Sequence, residues 1–361
     1  MIKKLLKFLL TIIIALVVLF AIYCAYVFIS YHRIDDMTAL EIENNSSKDV
    51  LEKDTSYTIA SGNLGFGAYS DDYSFFMDGG TESWAFSKTA VYNNINGSID
   101  VIKSLNPDLI LLQEVDLNST RSYHINEKDI ILENLAKTGT DKISTTFSIN
   151  YDSPFLMYPI TQPHGKTLAG EFTISSVNIS KAIRRSLPIE EGLSKLIDLD
   201  RCYAKNYIPV EGGVYLVLYN VHLSAYTTDP STADNQVKML NEDMLAEVEA
   251  GNYVIAGGDM NKDVLGDSTK YFGTSAKDQY WAVAFPEELL DSCFTVVKPV
   301  DPNNPVPSCR NADSPYNENS FVITIDGFIV SSNVEVSESN VVDTGFKYSD
   351  HNPIYMDFKL K

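Results

Sequence analysis

Residues 253–261 read YVIAGGDMN, an apolar run that stops abruptly at two glycines and an acid. The run predicts a strand that is buried on both faces of a sheet. Asp259 and Asn261 then fall at the end of that strand. By itself, the motif is more typical of a turn than of a functional site, because Gly, Asp and Asn all favour turns.

Four other segments repeat this design, in which an acid, Asn or His ends an apolar run. They are LILLQEV at 109–115, YLVLYNVHLS at 215–224, VITIDGF at 322–328 and KYSDHNP at 347–353. Taken singly, Glu114 could be a surface acid and His222 a core histidine. Because strands fix their ends rigidly, however, side chains at several strand ends can converge on one point. The five segments together therefore predict a functional site.

The spacing of apolar residues between these segments predicts few helices. One helix covers positions 91–105 and stops at the Asn-Pro pair 106–107, and a second covers 237–248. Strand-like runs lie at 57–60, 108–112, 171–175, 214–220, 253–256, 321–330 and 354–358. Many strands with few helices predict two packed sheets flanked by helices, an α+β or mixed α/β sandwich.

The N-terminal end carries a membrane-type segment. Residues 8–30 contain no charge, and about 20 apolar residues suffice to span a bilayer core. Lys3, Lys4 and Lys7 precede the run, and the positive-inside rule then places the short end in the cytoplasm. We predict that 1–30 is a single-pass signal anchor in the cell membrane, with an extracytoplasmic body. A cleaved signal peptide is the alternative, although its apolar region is normally about 7–15 residues.

The stretch 31–53 is polar and rich in Asn, Ser, Asp and Glu. We interpret it as a juxtamembrane spacer, and a first helix of the body is the alternative. No linker, repeat or low-complexity break follows it. Residues 54–361 are therefore predicted to form one domain, which would be the catalytic one.

The overall charge limits the class of partner. The chain has 28 Lys and Arg against 48 Asp and Glu, for a net charge of −20. Four of the basic residues lie within the first 33 positions, so the rest carries 24 basic against 48 acidic residues. Such a body does not fit a broad nucleic-acid-binding face. Anionic lipid headgroups would also repel it unless divalent cations intervene.

Four cysteines do not make a disulfide scaffold. Cys24 lies in the apolar segment, and the three that remain, Cys202, Cys293 and Cys309, cannot pair completely. A bridge between Cys293 and Cys309 and free thiols are equally compatible with the sequence. Neither a CxxC pair nor a His/Cys cluster indicates structural zinc.

The residue types at the strand ends suit metal-assisted attack on a phosphoester. Carboxylate and amide oxygens are the ligands that Mg²⁺ and Ca²⁺ prefer, and five residues offer them: Glu114, Asp259, Asp350, Asn63 and Asn261. Such a cation neutralises charge on the phosphoryl oxygens and the leaving group. A neutral histidine can take a proton from water while a carboxylate holds its tautomer.

Six motifs occur in the order that one protein family shows: SGNLG, LLQEVD, NVHLSAY, GGDMNKD, TIDGFIVS and YSDHNP. With them, the chain resembles the endonuclease/exonuclease/phosphatase superfamily from about residue 58 to residue 358. That superfamily includes deoxyribonuclease I, abasic-site endonucleases, inositol-polyphosphate phosphatases and neutral sphingomyelinases. The resemblance implies a four-layered sandwich with two central mixed β-sheets flanked by helices. It also implies a hydrolase of phosphoester bonds that uses Mg²⁺, or else Mn²⁺ or Ca²⁺.

The resemblance assigns roles to the residues that match the motifs. Glu114 matches the metal-binding glutamate, and Asp350 matches a further acid at the metal site. Asn63 matches a residue that helps hold the metal-bound water or the phosphate. His351 matches the general base, and Asp326 matches the carboxylate that orients it.

The two remaining motifs complete the implied site. Asp259 and Asn261 match a pair that positions the nucleophile and the phosphate. His222 matches a histidine that contacts the phosphate and can help the leaving group.

One stretch, HGKTLAGEFTIS at 164–175, departs from the family's pattern. Within it, His164 and Lys166 could contact phosphate or lie in a solvated loop. Arg121 and Arg310 are further cations for an anionic substrate, with surface positions as the alternative. Lys262 could likewise face substrate or solvent.

We therefore predict a membrane-tethered, extracytoplasmic, divalent-metal-dependent phosphoesterase, which hydrolyses phosphodiesters with water activated by His351 and the metal. The substrate could be nucleic acid, a phospholipid or a small phosphodiester. The acidic body weighs against a nuclease, and the tether favours a sphingomyelin or phospholipid headgroup by raising its local concentration. A non-catalytic binding module on the same fold is the alternative from a different class. No protein partner can be inferred.

Overall fold

The computed structural model describes residues 1–137, 139, 142–196, 198–225, 229–274, 279 and 281–361. The helices in this part of the chain are α1 (Ile2–Ser30), α2 (Lys88–Ser104), α3 (Glu127–Ala136), α4 (Pro230–Glu249) and α5 (Thr269–Phe272). The strands, numbered along the chain, are β1 (Thr38–Ala39), β2 (Ile42–Asn44), β3 (Tyr57–Asn63), β4 (Leu109–Asp116), β5 (Ser144–Asp152), β6 (Leu168–Ser175), β7 (Lys181–Ser186), β8 (Cys202–Val210), β9 (Val214–His222), β10 (Tyr253–Asp259), β11 (Phe294–Val297), β12 (Cys309–Arg310), β13 (Val322–Ile323), β14 (Asp326–Ser331), β15 (Val334–Val341) and β16 (Ile354–Leu360).

Two seven-stranded mixed sheets form the centre of the body. The first sheet has the order β1-β7-β8-β9-β10-β14-β11, and the second has the order β15-β16-β3-β4-β6-β5-β2. Parallel pairing joins β9 to β10 in the first sheet and β3 to β4 in the second. The sheets pack face to face, because Ile59 and Leu111 of the second share one core with Leu218 and Phe328 of the first.

Helices cover the outer face of each sheet. Val91 and Ile95 of α2 and Ile131 of α3 pack on the second sheet. Val237 and Leu240 of α4 pack on the first sheet. The layers therefore run helix, sheet, sheet, helix, which confirms the predicted four-layered sandwich. The two predicted helices, 91–105 and 237–248, correspond to α2 and α4.

The apolar run at 321–330 is not the single strand that the sequence predicts. It divides into β13 and β14, and the break falls at Thr324 and Ile325. The backbone N–H groups of Ile325 and Asp326 donate to the Ser308 hydroxyl, at 3.0 and 3.2 Å. These bonds replace strand pairing at the break, and they hold Asp326 at the first position of β14.

The sequence does not predict several of the strands, and three of these, β5, β7 and β8, carry buried polar residues. Asn206 of β8 accepts a bond from the Thr146 hydroxyl of β5 at 2.7 Å, between the two sheets. Arg184 of β7 is 1% exposed and donates to the Ile149 carbonyl at 2.8 Å. Because these polar groups find partners only in the folded protein, the alternation of apolar residues does not reveal the strands.

The N-terminal helix α1 is long and apolar enough to cross a membrane, a property that a leader sequence near the N-terminus would share. After it, the segment predicted as a spacer attaches to both sheets. Strand β1 pairs with β7, and β2 pairs with β5. The segment is thus joined to the body by edge pairing, which neither a free spacer nor a helix would show. The domain boundary at residue 54 stays a prediction.

All four cysteines lie in the described part of the chain and are free. The bridge between Cys293 and Cys309 that the sequence left open is not formed. Burial raises the pKa of the Cys309 thiol to about 12, so this group stays protonated at neutral pH.

Candidate active site

Strand register brings the predicted side chains to one rim of the sandwich. In the first sheet, Asp259 lies opposite His222 on one side and Asp326 on the other. In the second sheet, Asn63 at the end of β3 lies opposite Gln113 of β4. Because β9 and β10 are parallel, and β3 and β4 are parallel, the carboxyl ends of each pair meet at the same edge.

The glycine before Asp259 is required by close packing of the backbone. Gly258 has φ +138°, and a Cβ there would lie 2.1 Å from the Val221 carbonyl oxygen. Only glycine lets β9 and β10 approach so closely at this point. The GGD motif is therefore a tight strand end that fixes where the Asp259 carboxylate points.

Glu114 is turned into the site by an irregularity in β4. The register with β6 shifts between Leu112 and Val115, and Glu114 has φ +54°. A bulge of this kind re-aims a side chain, and positive φ in a non-glycine residue is a strained conformation often found at functional sites. Gln113 points the other way and is fully buried, donating to Asn220 at 2.7 Å.

His351 and Asp326 form a buried hydrogen-bonded pair. His351 Nδ1 lies 2.8 Å from Asp326 Oδ2, which also accepts the Ser308 hydroxyl at 2.6 Å. Burial alone would lower the pKa of His351, but the Asp326 carboxylate raises it well above its usual value. His351 Nε2 lies 3.8 Å from Asp259 Oδ2 and 3.6 Å from Cys309 Sγ. The pair thus supplies an oriented imidazole whose second nitrogen is beside the Asp259 carboxylate.

His222 of β9 and Asp259 of β10 are paired on neighbouring strands of the first sheet. His222 Nε2 lies 3.5 Å from Asp259 Oδ2, and burial holds the pKa of His222 well below its usual value. Burial also raises the pKa of Asp259 to about 7, although His351 opposes the shift. Asn261, with φ +50°, donates its amide nitrogen to the Leu223 carbonyl at 2.8 Å. The two histidines therefore differ in charge, with His222 neutral at pH 7.

The Glu114 and Asp350 carboxylates both line the cleft and are candidate ligands for a divalent cation. No lysine or arginine of the described residues forms an ion pair with either of them. Burial raises the pKa of Asp350 to about 6, and the Glu114 carboxylate adds to the rise. Two carboxylates that repel each other beside a cleft are the oxygen donors that Mg²⁺ takes. Asn63 serves differently, since its Nδ2 donates to Glu114 at 3.2 Å and to Asp259 at 3.1 Å.

A second group of ligand atoms lies close by. Asp259, Asp326 and His351 each place one such atom within 4.8 Å of the others. The hydrogen bond between His351 and Asp326 already engages two of these residues. Glu114 and Asp350 are therefore the stronger candidates for a metal ion.

The two predicted substrate arginines are buried and bonded to the protein. Arg121 makes a two-pronged pair with Asp116, at 3.2 and 2.9 Å, and lies 3.9 Å over the Phe66 ring. Arg310 donates to the backbone carbonyls of Ser70 and Tyr73 at 2.9 and 3.1 Å. Both arginines border the cleft, but their surface alternatives are wrong, because each is at least nine-tenths buried.

The remaining predicted cations lie in different surroundings. His164 borders the cleft, and burial lowers its pKa to about 3, so that it is neutral. Lys166 is largely exposed, and its nearest carboxylate is Asp152 at 4.0 Å. Lys262 is buried and donates to the carbonyls of Ser224 and Asn261, so it joins two loops and does not face solvent.

Sequence reasoning overlooked Arg201, which also borders the cleft. It is 7% exposed, and its Nε and Nη1 atoms have no hydrogen-bond acceptor among the described residues. Arg201 directly precedes β8, which is antiparallel to β9 and therefore begins at the rim where β9 ends. The sequence pattern that predicted the site, a polar residue after an apolar run, does not include a residue that precedes a strand. A buried arginine with free donor atoms beside a cleft is a candidate for binding an anionic group.

The cleft itself has a volume of about 320 Å³. Its lining includes most of the predicted site residues: Glu114, His222, Asp259, Asn261, Asp350 and His351, with Arg121, His164 and Arg310. Asn63 and Asp326 lie behind this lining and bond to residues within it. A rim of acids and histidines on a four-layered sandwich is the arrangement that the resemblance implies for phosphoester hydrolases.

Comparison with known proteins agrees with this class. The Endonuclease/Exonuclease/phosphatase family matches residues 93–351, and the chain therefore belongs to that family. As a member it is a phosphoester hydrolase, which confirms the class of enzyme that the sequence predicts. No curated protein matches the sequence.

Several solved structures share the fold at low identity. An endonuclease/exonuclease/phosphatase from Beutenbergia cavernae DSM 12333 superposes with a TM-score of 0.58 at 16% identity, over 84% of this chain and 72% of that one. A family protein from Leptotrichia buccalis C-1013-b has a TM-score of 0.55 at 16% identity, over 84% and 100%. ANGEL2, a 2′,3′-cyclic phosphatase, has a TM-score of 0.53 at 14% identity, over 90% and 98%.

Proposed function

We propose that the protein is a divalent-metal-dependent phosphodiesterase, tethered to the cell membrane by α1, with its body outside the cytoplasm. The observation that carries the catalytic part is the 2.8 Å pair of His351 and Asp326, set beside the Asp259 carboxylate in an acidic cleft. The basic residues before the apolar run and the length of α1 support the tether and its orientation.

In the proposed reaction, a water oxygen attacks phosphorus while His351 Nε2 takes the proton of the water. Asp326 Oδ2 accepts a hydrogen bond from the Nδ1–H group of His351 and stabilises the imidazolium that forms. One P–O ester bond breaks opposite the attacking oxygen, the leaving oxygen takes a proton from solvent, and the imidazolium of His351 returns its proton to solvent. His222 and Asn261 line the same cleft and contact the phosphate in this proposal. Most of the rate enhancement then comes from positioning and electrostatics.

Glu114 and Asp350 would hold the metal, with Asn63 keeping the Glu114 carboxylate oriented. When bound, a cation there neutralises charge on the phosphoryl oxygens. It would also oppose protonation of the nearby His351, since like charges disfavour each other. A neutral His351 is the form that can accept a proton. Mg²⁺ is the proposed ion, and Mn²⁺ or Ca²⁺ would suit the same oxygen ligands.

A diester fits the charge of the cleft better than a monoester. The arginines that border the described part of the cleft are Arg121, Arg201 and Arg310, and the first and last already bond to protein acceptors. Arg201 is the one of the three for which the described residues supply no side-chain hydrogen bond, and with one cation it suits a phosphate with a single negative charge. The second charge of a monoester would meet the surrounding carboxylates and be repelled.

A substrate panel tests this proposal with the full chain in non-ionic detergent and Mg²⁺. The panel holds bis(p-nitrophenyl) phosphate, p-nitrophenyl phosphate, a 2′,3′-cyclic nucleotide, RNA and plasmid DNA. We expect turnover of the simple diester to exceed that of the monoester by about tenfold or more, as one uncompensated charge costs about 1.4 kcal/mol or more. Faster cleavage of the monoester would contradict the diester assignment.

Replacing Arg201 with alanine is expected to lower kcat/KM for the diester by about 10–100-fold. The reason is that its unpartnered guanidinium would lose charge-assisted bonds to a phosphate oxygen, worth about 1.5–3 kcal/mol. Steady-state kinetics measure this effect, and Arg201→Lys is the matched variant that keeps the charge. The thermal unfolding midpoint should change little, because Arg201 forms no ion pair among the described residues. Unchanged kinetics in Arg201→Ala would remove this residue from the site.

A further inference from the structure

An uncharged loop projects from the body beside the active-site cleft. This apolar loop, residues 153–163, reads SPFLMYPITQP. Tyr158 and Ile160 at its tip are 71% and 84% exposed, and Phe155 and Met157 are also exposed. Contiguous exposed apolar side chains of this kind mark surfaces that meet a protein or a membrane.

The exposure of these side chains is built into the fold of the loop. Leu156 and Gly165 exchange both backbone hydrogen bonds at 3.0 Å, which closes the loop at its base. The indole nitrogen of Trp84 donates to the Pro163 carbonyl at 2.6 Å. A loop that is held at its base in this way presents its tip outward as a fixed feature.

The apolar loop is tied directly to the end of α1. The Tyr23 hydroxyl accepts the Met157 N–H at 2.9 Å and donates to the Phe155 carbonyl at 3.3 Å. The Tyr26 hydroxyl accepts the Phe155 N–H at 3.0 Å. Tyr23 precedes the last residue of α1, Ser30, by two turns, or roughly 10 Å along the helix axis. If α1 spans a bilayer, the loop therefore lies at the depth of its last two turns.

The same loop borders the mouth of the cleft. The ring of Tyr158 packs edge-on against Phe76, with 5.7 Å between the ring centroids. Phe76 in turn lies 6.2 Å from the ring of His164, which lines the cleft together with Met77. The ring of Phe76 thus lies between Tyr158 of the apolar loop and His164, which lines the cleft.

We propose that the apolar loop inserts into the interface of the bilayer that α1 spans, and that the cleft hydrolyses the phosphodiester headgroups of lipids in that bilayer. This inference rests on the proposed phosphodiesterase function. Tyr and Phe at the end of a spanning helix are typical of the membrane interface, and an apolar face buried by about 5–10 Å suffices for binding there. The acidic body favours zwitterionic headgroups, because anionic ones would be repelled. Hydrolysis adds water across one P–O bond and leaves one product in the membrane.

Fluorescence of the full chain in phosphatidylcholine nanodiscs tests insertion without reference to activity. Ile160→Trp is compared with Val50→Trp. Val50 is also apolar and is 47% exposed, and its neighbour Leu51 pairs with Val210, at the end of β8 that is far from the cleft. Lipid brominated near the glycerol end of its acyl chains quenches nearby indoles. Relative to the wild type with Trp84 and Trp281, we expect about twofold quenching of the tryptophan introduced at 160 and none at 50. If the Ile160→Trp variant emits equally in brominated and in unbrominated lipid, insertion of the loop is overturned.

Kinetics of paired substrates test the lipid assignment. The full chain is reconstituted in vesicles of phosphatidylcholine, phosphatidylethanolamine or sphingomyelin, and headgroup release is measured beside turnover of bis(p-nitrophenyl) phosphate. The variant Phe155→Ser/Tyr158→Ser/Ile160→Ser should lose about tenfold or more in headgroup release and keep its rate on the soluble diester. The control Val50→Ser/Tyr215→Ser, at the opposite rim, should keep both rates.

The two substrates also separate this inference from the function on which it rests. Turnover of the soluble diester with no release from any of the three lipids would overturn the lipid assignment and leave the phosphodiesterase intact. Failure on both substrates would overturn the proposed function, and the bromine measurement would still decide on insertion. An equal loss of both rates in the triple variant would show that the loop only supports the fold, against the proposal.

Discussion

Replacing His351 with alanine is expected to lower kcat for diester hydrolysis by about 10²–10⁴-fold, the usual contribution of a general base. His351 is the imidazole that the Asp326 carboxylate orients, and its Nε2 faces the acidic end of the cleft. Without it, water has to lose its proton to a weaker base. The measurement is release of p-nitrophenol from bis(p-nitrophenyl) phosphate by the full chain at saturating Mg²⁺.

Two further variants show whether that loss reflects the oriented imidazole. Asp326→Asn keeps the shape of the side chain but removes the charge that stabilises the imidazolium, so kcat should fall more than KM changes. His124→Ala is the matched control, because His124 bonds to Asn118 and does not line the cleft. A His351→Ala enzyme with near wild-type kcat would remove the proposed base from the mechanism.

Replacing Asp116 with alanine is expected to lower the free energy of unfolding by about 3–5 kcal/mol. Asp116 is fully buried and accepts two bonds from Arg121 and a third from the Ser122 hydroxyl at 2.7 Å. Its removal leaves the buried Arg121 guanidinium without the carboxylate to which it is hydrogen-bonded. Urea unfolding of the full chain in detergent, followed by circular dichroism, measures the change.

A double-mutant cycle shows whether the loss comes from the unpaired arginine. Asp116→Leu combined with Arg121→Met removes both charges and keeps apolar volume beside Phe66. The double variant should be less destabilised than the sum of the two single changes, because no lone charge remains. Additive losses would mean that the pair is not energetically coupled, contrary to the geometry.

The sequence predicted the centre of the fold well because its signals there are local and apolar. Strands β4, β9 and β10 are buried on both sides, so their runs of Leu, Ile and Val stand out. The antiparallel strands β5, β7 and β8 were not predicted, because their buried polar residues find partners, such as Asn206 with Thr146, only in the folded protein. The break between β13 and β14 likewise depends on Ser308, which is distant from Asp326 in sequence.

Some residues of the candidate site could be predicted from the sequence and others could not, for similar reasons. The convergence of Glu114, His222, Asp259 and His351 followed from their places at strand ends, and register explains it. The burial of Arg121 against Asp116 at the end of β4, and of Arg310 against the carbonyls of Ser70 and Tyr73, could not be predicted, because these contacts form only in the folded protein. Arg201 was overlooked because it comes before an antiparallel strand.

The metal dependence of diester hydrolysis by the full chain tests the proposed mechanism most directly. The rate on bis(p-nitrophenyl) phosphate is measured after treatment with EDTA and again after Mg²⁺ is restored, beside Glu114→Gln. We expect the wild-type rate to disappear on chelation and to return with Mg²⁺, and the variant to need about 10–100-fold more Mg²⁺ for half its activity. A wild-type rate that survives removal of every divalent cation would contradict the proposed mechanism.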